Sequence, residues 1–103
     1  MITAIVRYRL PATISREDCR AHFHKITTDF VDVPGLISKH FICDAEGVIA
    51  GGVYQWETLE QAKAFYGGPW LEGIRNRYGA PPQIEFFEVF GRTDNAHKTI
   101  DRF

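Results

Sequence analysis

The sequence predicts an α+β fold with the element order β-α-β-β-α-β. Apolar residues alternate along four segments, helical spacing appears in the regions between them, and proline or glycine separates the segments. The second and third strand segments are joined by the three residues 45–47, which predicts an antiparallel hairpin. This order is that of the ferredoxin-like arrangement, an antiparallel four-stranded sheet with its helices on one face.

The chain begins with one predicted strand followed by one predicted helix. Apolar residues alternate over residues 2–10, and Pro11 ends that strand. Ser15 and Asp18 have the spacing of a capping box, so the helix is expected to begin there. It is expected to stop before residues 33–35, where proline and glycine interrupt the pattern. The helix carries one apolar stripe, formed by Cys19, Phe23, Ile26 and Phe30.

The middle of the chain is the predicted hairpin followed by a second helix. The hairpin strands are expected over residues 36–44 and 48–56. Thr58 is the expected start of the helix, with Gln61 completing a capping box.

Glycine and proline divide the last third of the chain. The glycines at 67–68 end the second helix, and a further short helix over residues 69–78 has proline in its first turn. A fourth strand is expected over residues 84–91. The prediction is therefore one domain over residues 1–92, followed by a polar tail, 93–103, that is either mobile or an arm lying on a partner.

Composition and charge narrow the class of protein. The 103 residues suit a single domain, and the net charge of −1 with no basic run argues against nucleic acid or an anionic membrane as partner. No apolar run is long enough to cross a bilayer, and no basic segment of a signal peptide precedes the first strand. Cys19 and Cys43 fall in different elements and are expected to be reduced, as in a cytoplasmic protein.

The predicted strands are apolar on both faces, although helices can cover only one of them. An uncovered apolar face of this size requires a partner, and an identical sheet is the simplest one. We therefore expect a homodimer in which two sheets pack face to face into a barrel. The neighbouring residues that place apolar side chains on opposite faces are Ile5 and Val6, Phe41 and Ile42, and Phe86 and Phe87.

The segment 51–58 has an unusual composition for a strand. Alternation places Gly52, Tyr54 and Trp56 on one face, and the glycine leaves a hollow beside two aromatic rings. The hollow could receive a flat apolar ligand, or it could allow the strand to pack tightly under a helix. Both interpretations remain open from the sequence.

Three segments taken together resemble the YdhR-type monooxygenases, which belong to the dimeric α+β barrel superfamily alongside the antibiotic-biosynthesis monooxygenases. The segments are residues 34–39, 51–56 and 62–66, and the resemblance extends over about residues 2–92. It implies a ferredoxin-like dimer with a pocket between the sheet and the helices of each copy. It also implies oxidation of phenolic or quinol substrates by oxygen without metal or flavin, so no cofactor is expected.

Chemistry of this kind needs a base and a partner for the resulting anion. A neutral histidine is the natural base near pH 7, and Lys, Arg or Tyr can stabilise the anion. His22, beside the apolar stripe of the first helix, is the first candidate base, and His40 on the second strand is another, although both could be structural. Tyr54 is the candidate acid.

The remaining candidates would bind the substrate. Lys39 matches a lysine of the family, and it lies on the opposite face of its strand from His40. A lysine in an apolar space should pair with a carboxylate, for which Glu88 is the candidate, and the alternative is an ion pair between subunits. The other candidates could equally be core or solvated surface: Trp56, Phe65, Tyr66, Trp70 and Arg75, with Arg77 beside it at the mouth of the pocket.

The sequence thus favours a cofactor-independent monooxygenase acting on a small aromatic, phenolic or quinol-like molecule. A cofactor-free cyclase, isomerase or dehydratase, or a non-catalytic binder of small apolar molecules, are the alternatives. His22 and His24 point to different sides of a helix, and no metal-binding motif occurs, so no metal site is expected. Haem binding is disfavoured, because no histidine has a clear place at the open edge of the pocket.

Overall fold

The computed structural model describes all 103 residues and confirms the α+β, ferredoxin-like arrangement. The four-stranded sheet has the order β2-β3-β1-β4, and every neighbouring pair is antiparallel. The elements of this domain are β1 (Ile2–Arg9), α1 (Arg16–Ile26), a 3₁₀ turn (Thr27–Phe30), β2 (Leu36–Cys43), β3 (Ile49–Trp56), α2 (Leu59–Phe65), α3 (Gly68–Tyr78) and β4 (Gln83–Glu88).

Side-chain caps fix where the first two helices begin. The Ser15 hydroxyl accepts a hydrogen bond from the Asp18 backbone N–H at 3.0 Å, and the Asp18 carboxylate accepts one from the Ser15 N–H at 3.2 Å. This is the predicted capping box. At α2, the Thr58 hydroxyl accepts a hydrogen bond from the Gln61 N–H at 3.2 Å. The Gln61 side-chain oxygen accepts from the Thr58 hydroxyl at 3.1 Å rather than from the Thr58 backbone N–H, so only half of that capping box forms.

Glycine and proline set the ends of α3. Pro69 lies in its first turn, and Gly79 adopts the left-handed conformation at φ 84°, donating its N–H to the Arg75 carbonyl at 2.8 Å. Since α2 ends at Phe65 and α3 begins at Gly68, the predicted break between the two helices is present. None of the three helices has the length and apolar character needed to cross a membrane.

The helices pack on one face of the sheet and create two buried clusters. The first contains Ala4, Val6, Tyr54, Trp56, Ala62 and Tyr66. The second contains Leu10, Cys19, Phe23, Ala50 and Tyr78. Cys19 and Cys43 are both free thiols, and burial raises the pKa of Cys19 to about 11.

The opposite face of the sheet carries no helix and stays partly apolar. Phe87 is 48% exposed there, and Ile42 and Ile49 are also exposed. Arg7 and Glu85 form an ion pair across β1 and β4 on this face. We refer to this surface as the open face.

The C-terminal segment is a two-stranded antiparallel hairpin, β5 (Gly91–Asp94) and β6 (Thr99–Arg102). The sequence pattern did not indicate these strands, because each has only four residues and little apolar alternation. The hairpin packs mainly on itself, and the molecule is elongated, 43 × 29 × 22 Å. Phe90 and Ile100 are 74% and 63% exposed, which is unusual for large apolar side chains.

Candidate active site

A cavity of about 300 Å³ lies between the helical layer and the sheet. Each layer contributes, because strand alternation turns every second side chain towards the helices and helical spacing aligns one face of each helix. The polar or aromatic groups that matter most here are Tyr8, Lys39 and Tyr54 from the sheet, His22 from α1, and Trp70 and Arg77 from α3.

Lys39 has the most unusual environment of these residues. Its Nζ atom lies 3.5 Å from the ring centroid of Phe30 and 3.9 Å from that of Phe41. The Tyr54 ring completes the enclosure at 4.6 Å. Lys39 forms no ion pair, and burial lowers its pKa to about 7.

The expected carboxylate partner of Lys39 is absent. Glu88 lies on β4, whereas Lys39 lies on β2, and the two strands are the opposite edges of the sheet. Aromatic ring faces, which attract cations, take the place of the carboxylate. The pairing prediction was therefore wrong, because sequence alternation gives the face of a strand but not its distance from another strand.

Gly52 explains how Lys39 and Tyr54 fit together. A Cβ atom added at Gly52 would lie 2.8 Å from the Tyr54 ring and 3.0 Å from Cε of Lys39. The hollow that the sequence indicated is thus filled by two side chains of the protein. The ligand space lies beyond them, between these side chains and the helices.

His22 lines the same cavity from α1. Burial, with the nearby positive charges of Arg77 and Lys25, lowers its pKa, so the imidazole is neutral at pH 7. Arg77 forms no ion pair, and its Nε donates to the Tyr78 hydroxyl at 3.3 Å. The cavity therefore combines a neutral base with cationic groups.

The Tyr54 hydroxyl stays protonated near neutral pH, so it can donate a hydrogen bond but is a poor acid. Burial, together with the neighbouring Tyr66, raises the pKa of its hydroxyl well above the usual value. The ring is stacked on Trp56, with centroids 6.1 Å apart and planes inclined by 8°.

Three of the predicted ring-binding residues do not line the cavity but pack behind the residues that do. They are Trp56, Phe65 and Tyr66. Trp56 is completely buried, and its indole N–H donates to the Tyr66 hydroxyl at 2.9 Å. Phe65 packs against both rings, at 5.3 Å from Trp56 and 5.4 Å from Tyr66. Of the predicted aromatic residues, only Tyr54 and Trp70 line the cavity, so Trp56 does not bound it as the sequence suggested.

Two further candidates lie outside the cavity. His40 is exposed on the open face, since β2 directs Lys39 to the helices and His40 away from them. Arg75 is exposed, and Arg77 is the arginine that lines the cavity. Helical spacing could have selected it, because Arg77 follows Trp70 by seven residues and Gly73 by four, which places all three on one helix face.

Two other depressions lie on the surface. The larger, about 430 Å³, lies over α1 and the edge strand β2 and includes Arg16, Arg20 and His24. Another, about 350 Å³, borders the far side of Lys39 and includes Asp32. Neither contains His22 or Tyr54. No group of three or more His, Cys, Asp or Glu side chains is placed to hold a metal ion.

Solved structures share this fold. A putative antibiotic biosynthesis monooxygenase from Deinococcus radiodurans is 12% identical, with a TM-score of 0.66 over 86% of this chain and 92% of that one. The ActVA-Orf6 monooxygenase of Streptomyces coelicolor, solved with Nanaomycin D, is 16% identical, with a TM-score of 0.66 over 85% and 86% of the chains. A MhuD mutant with two manganese protoporphyrin IX molecules per active site is 19% identical, with a TM-score of 0.60 over 86% and 94%. At such identities the likeness establishes the fold alone.

The sequence itself assigns the family. No curated protein matches the chain. The sequence profile of the family described as "Putative mono-oxygenase ydhR" matches residues 5–91, which include every strand of the four-stranded sheet in whole or in part and all three helices. Because this match covers most of the chain, the protein belongs to the ydhR family.

Proposed function

We propose that the protein is a cofactor-independent monooxygenase acting on a small aromatic, phenolic or quinol-like molecule. The observation that carries this proposal is one cavity lined by a neutral histidine, a tyrosine held protonated and an unpaired lysine. Its volume of about 300 Å³ is at the lower end of ligand pockets, which favours a few fused rings over a macrocycle.

The reaction begins with loss of a proton. His22 accepts the proton of the substrate hydroxyl or of an acidic C–H beside the ring, and the ring becomes an electron-rich anion. That anion transfers an electron to oxygen, and the ring radical and superoxide combine into a peroxide anion. The peroxide anion takes the proton back from His22 and becomes a hydroperoxide. Loss of water then leaves a ketone or quinone, so one oxygen atom enters the product and the other leaves as water.

The other groups of the cavity stabilise the anion. Lys39 and Arg77 provide positive charge, and the Tyr54 hydroxyl donates a hydrogen bond. The aromatic and aliphatic walls, which include Phe23, Ile26 and Trp70, exclude water and strengthen these interactions. The family description supports a monooxygenase reaction, and the complex of the Streptomyces protein with Nanaomycin D supports a small-molecule ligand here.

The active form in this proposal is a homodimer joined through the open face. The exposed Phe87, Ile42 and Ile49 support it, since a monomer would leave an apolar sheet surface in water. The C-terminal hairpin carries exposed Phe90 and Ile100 and is suited to lie on the second copy.

Oxygen consumption tests the activity. An anthrone and a naphthohydroquinone are supplied to the purified protein in an oxygen electrode, with spontaneous oxidation subtracted. We expect protein-dependent uptake of oxygen, and His22→Gln should lower kcat by about 10²-fold or more because the base is lost. His24→Gln is the matched control on the exposed side of α1 and should leave kcat unchanged.

Other outcomes identify the alternatives. Product formation without oxygen consumption would indicate a cyclase, isomerase or dehydratase on this scaffold. Tight binding of a probe that stays chemically unchanged would indicate a non-catalytic binder. An equal loss of kcat in the His22 and His24 variants would remove His22 from its proposed role.

A further inference from the structure

The charged groups of the cavity are all basic. Thirteen residues line it, and none of them is Asp or Glu. Lys39 and Arg77 are its cationic side chains, and neither forms an ion pair with any carboxylate of the protein. The cavity thus has a positive field and no internal group that neutralises it.

The Lys39 ammonium is incompletely compensated where it lies. The rings of Phe30, Phe41 and Tyr54 attract the charge, but they accept no strong hydrogen bond from its three N–H donors. The pKa of about 7 reflects that shortage, because removal from water favours the neutral amine. An anion entering the cavity would provide the missing acceptor and restore the charged form.

We propose that this cavity selects aromatic anions, with the carboxylate or phenolate oxygen of the ligand accepting hydrogen bonds from Lys39. The ring then lies among the apolar walls, and Arg77 adds a second positive charge. This inference names the charge of the substrate and rests on the proposed function in placing the substrate in this cavity.

Binding of such an anion should be coupled to proton uptake. Lys39 is largely neutral above pH 7 when the cavity is empty, and it becomes charged when an anion binds. The other ionisable groups facing it are His22 on α1, Tyr54 on β3 and Arg77 on α3, with Tyr8 and Tyr78 elsewhere in the wall and Asp32 in the depression behind it. Among them His22 is the one other group able to take up a proton near neutrality.

Calorimetry with three naphthalene probes tests the proposal without any turnover. The probes are 2-naphthoate, its neutral isostere 2-naphthamide, and 2-naphthol as the phenolate source. Titrations at pH 7.5 in buffers of different ionisation enthalpy measure the number of protons that the protein takes up when a probe binds. We expect 2-naphthoate to bind about 10-fold tighter than the amide, with uptake of about half a proton or more. Absorbance shows whether 2-naphthol binds as its anion, in which case no net proton is taken up.

The two anionic probes distinguish the sources of the charge. Tighter binding of 2-naphthoate assigns the site to carboxylates, and tighter binding of 2-naphthol as its anion assigns it to phenolates. Equal affinity for 2-naphthoate and 2-naphthamide, with 2-naphthol bound no tighter and as the neutral phenol, would overturn the proposal. Because oxygen plays no part, this failure is distinct from a failure of the oxygen-uptake test.

Matched variants identify Lys39 as the responsible group. Lys39→Met should abolish both the preference for the anion and the proton uptake, while 2-naphthamide binding persists and reports an intact cavity. Lys63→Met, on the exposed surface of α2, should change neither. Proton uptake that persists in Lys39→Met but disappears in His22→Gln would overturn the assignment to Lys39.

Discussion

Lys39 and Gly52 lie on the neighbouring strands β2 and β3, and the missing side chain at Gly52 determines where the Lys39 side chain can lie. Without a side chain at Gly52, the Lys39 chain and the Tyr54 ring can lie across β3. The ammonium then reaches the aromatic rings and loses most of its water. A surface lysine has none of these constraints, so residue type alone does not give the chemistry of this position.

Replacing Lys39 should stabilise the fold in a pH-dependent way. Its pKa falls from 10.5 to about 7 on folding, so the unfolded chain holds more protons between these values. The cost of the buried ammonium is therefore complete below pH 7 and disappears as the pH rises towards 10.5. We expect Lys39→Met to raise the free energy of unfolding by about 2 kcal/mol at pH 6. This is less than the lowered pKa of Lys39 alone implies, because cation–π attraction offsets part of the cost of burying the charge.

Urea unfolding at several pH values checks this expectation. The advantage of Lys39→Met over the wild type should shrink steadily above pH 7 and become small by about pH 11, where the lysine is mostly neutral in both states. Lys63→Met provides the baseline, because that side chain is exposed. A constant difference across the range would show that the charge of Lys39 carries no cost.

At the scale of elements, β3 is the strand around which the site is built. It pairs with β1 on one side and β2 on the other, so its backbone is enclosed. Gly51 faces Arg7 of β1, and a Cβ atom added at Gly51 would overlap the Val6 carbonyl oxygen. There is therefore no space for a side chain at position 51 of β3.

Two glycine substitutions should have opposite effects on stability. Gly51→Ala should lower the free energy of unfolding by about 3 kcal/mol, because β1 and β3 must separate to admit the methyl group. Gly73→Ala in α3 should raise it by about 0.5 to 1 kcal/mol, because no atom lies within 4 Å of the added carbon and alanine favours helix. Chemical denaturation measures both, and a neutral Gly51→Ala would contradict the tight pairing of β1 and β3.

At the scale of the whole molecule, the helices cover one side of the sheet only. The open face and the projecting C-terminal hairpin leave large apolar side chains in water. Both features are costly for an isolated chain, and the homodimer that we propose would cover both.

Sedimentation equilibrium at micromolar concentration tests the dimer. We expect twice the chain mass of 11.8 kDa for the wild type. Phe87→Glu places a charge on the open face and should yield the monomer mass. Val31→Glu is the control, because Val31 is an exposed apolar residue in the loop after the 3₁₀ turn. A wild-type monomer, or dissociation by both variants, would contradict an interface through the open face.

Local pattern was sufficient for most of the fold. The capping box at Ser15, the break before Pro69 and the turn at Gly79 depend on residues within a few positions along the chain. Strand alternation likewise predicts Lys39 and His40 on opposite faces, where the structure has them. The hairpin β5–β6 escaped prediction, because its short strands carry little alternation.

The sequence by itself therefore determined the order of the elements of the four-stranded domain, their boundaries to within a few residues, and the face on which each of its strand residues lies. Only the tertiary structure decided that Trp56 and Tyr66 are hydrogen-bonded to each other in the core, and that Lys39 contacts aromatic rings instead of Glu88. The reason is physical: turns, caps and alternation are set by neighbouring residues, whereas these contacts depend on how separate elements pack, and the pattern within one element carries no record of that distance.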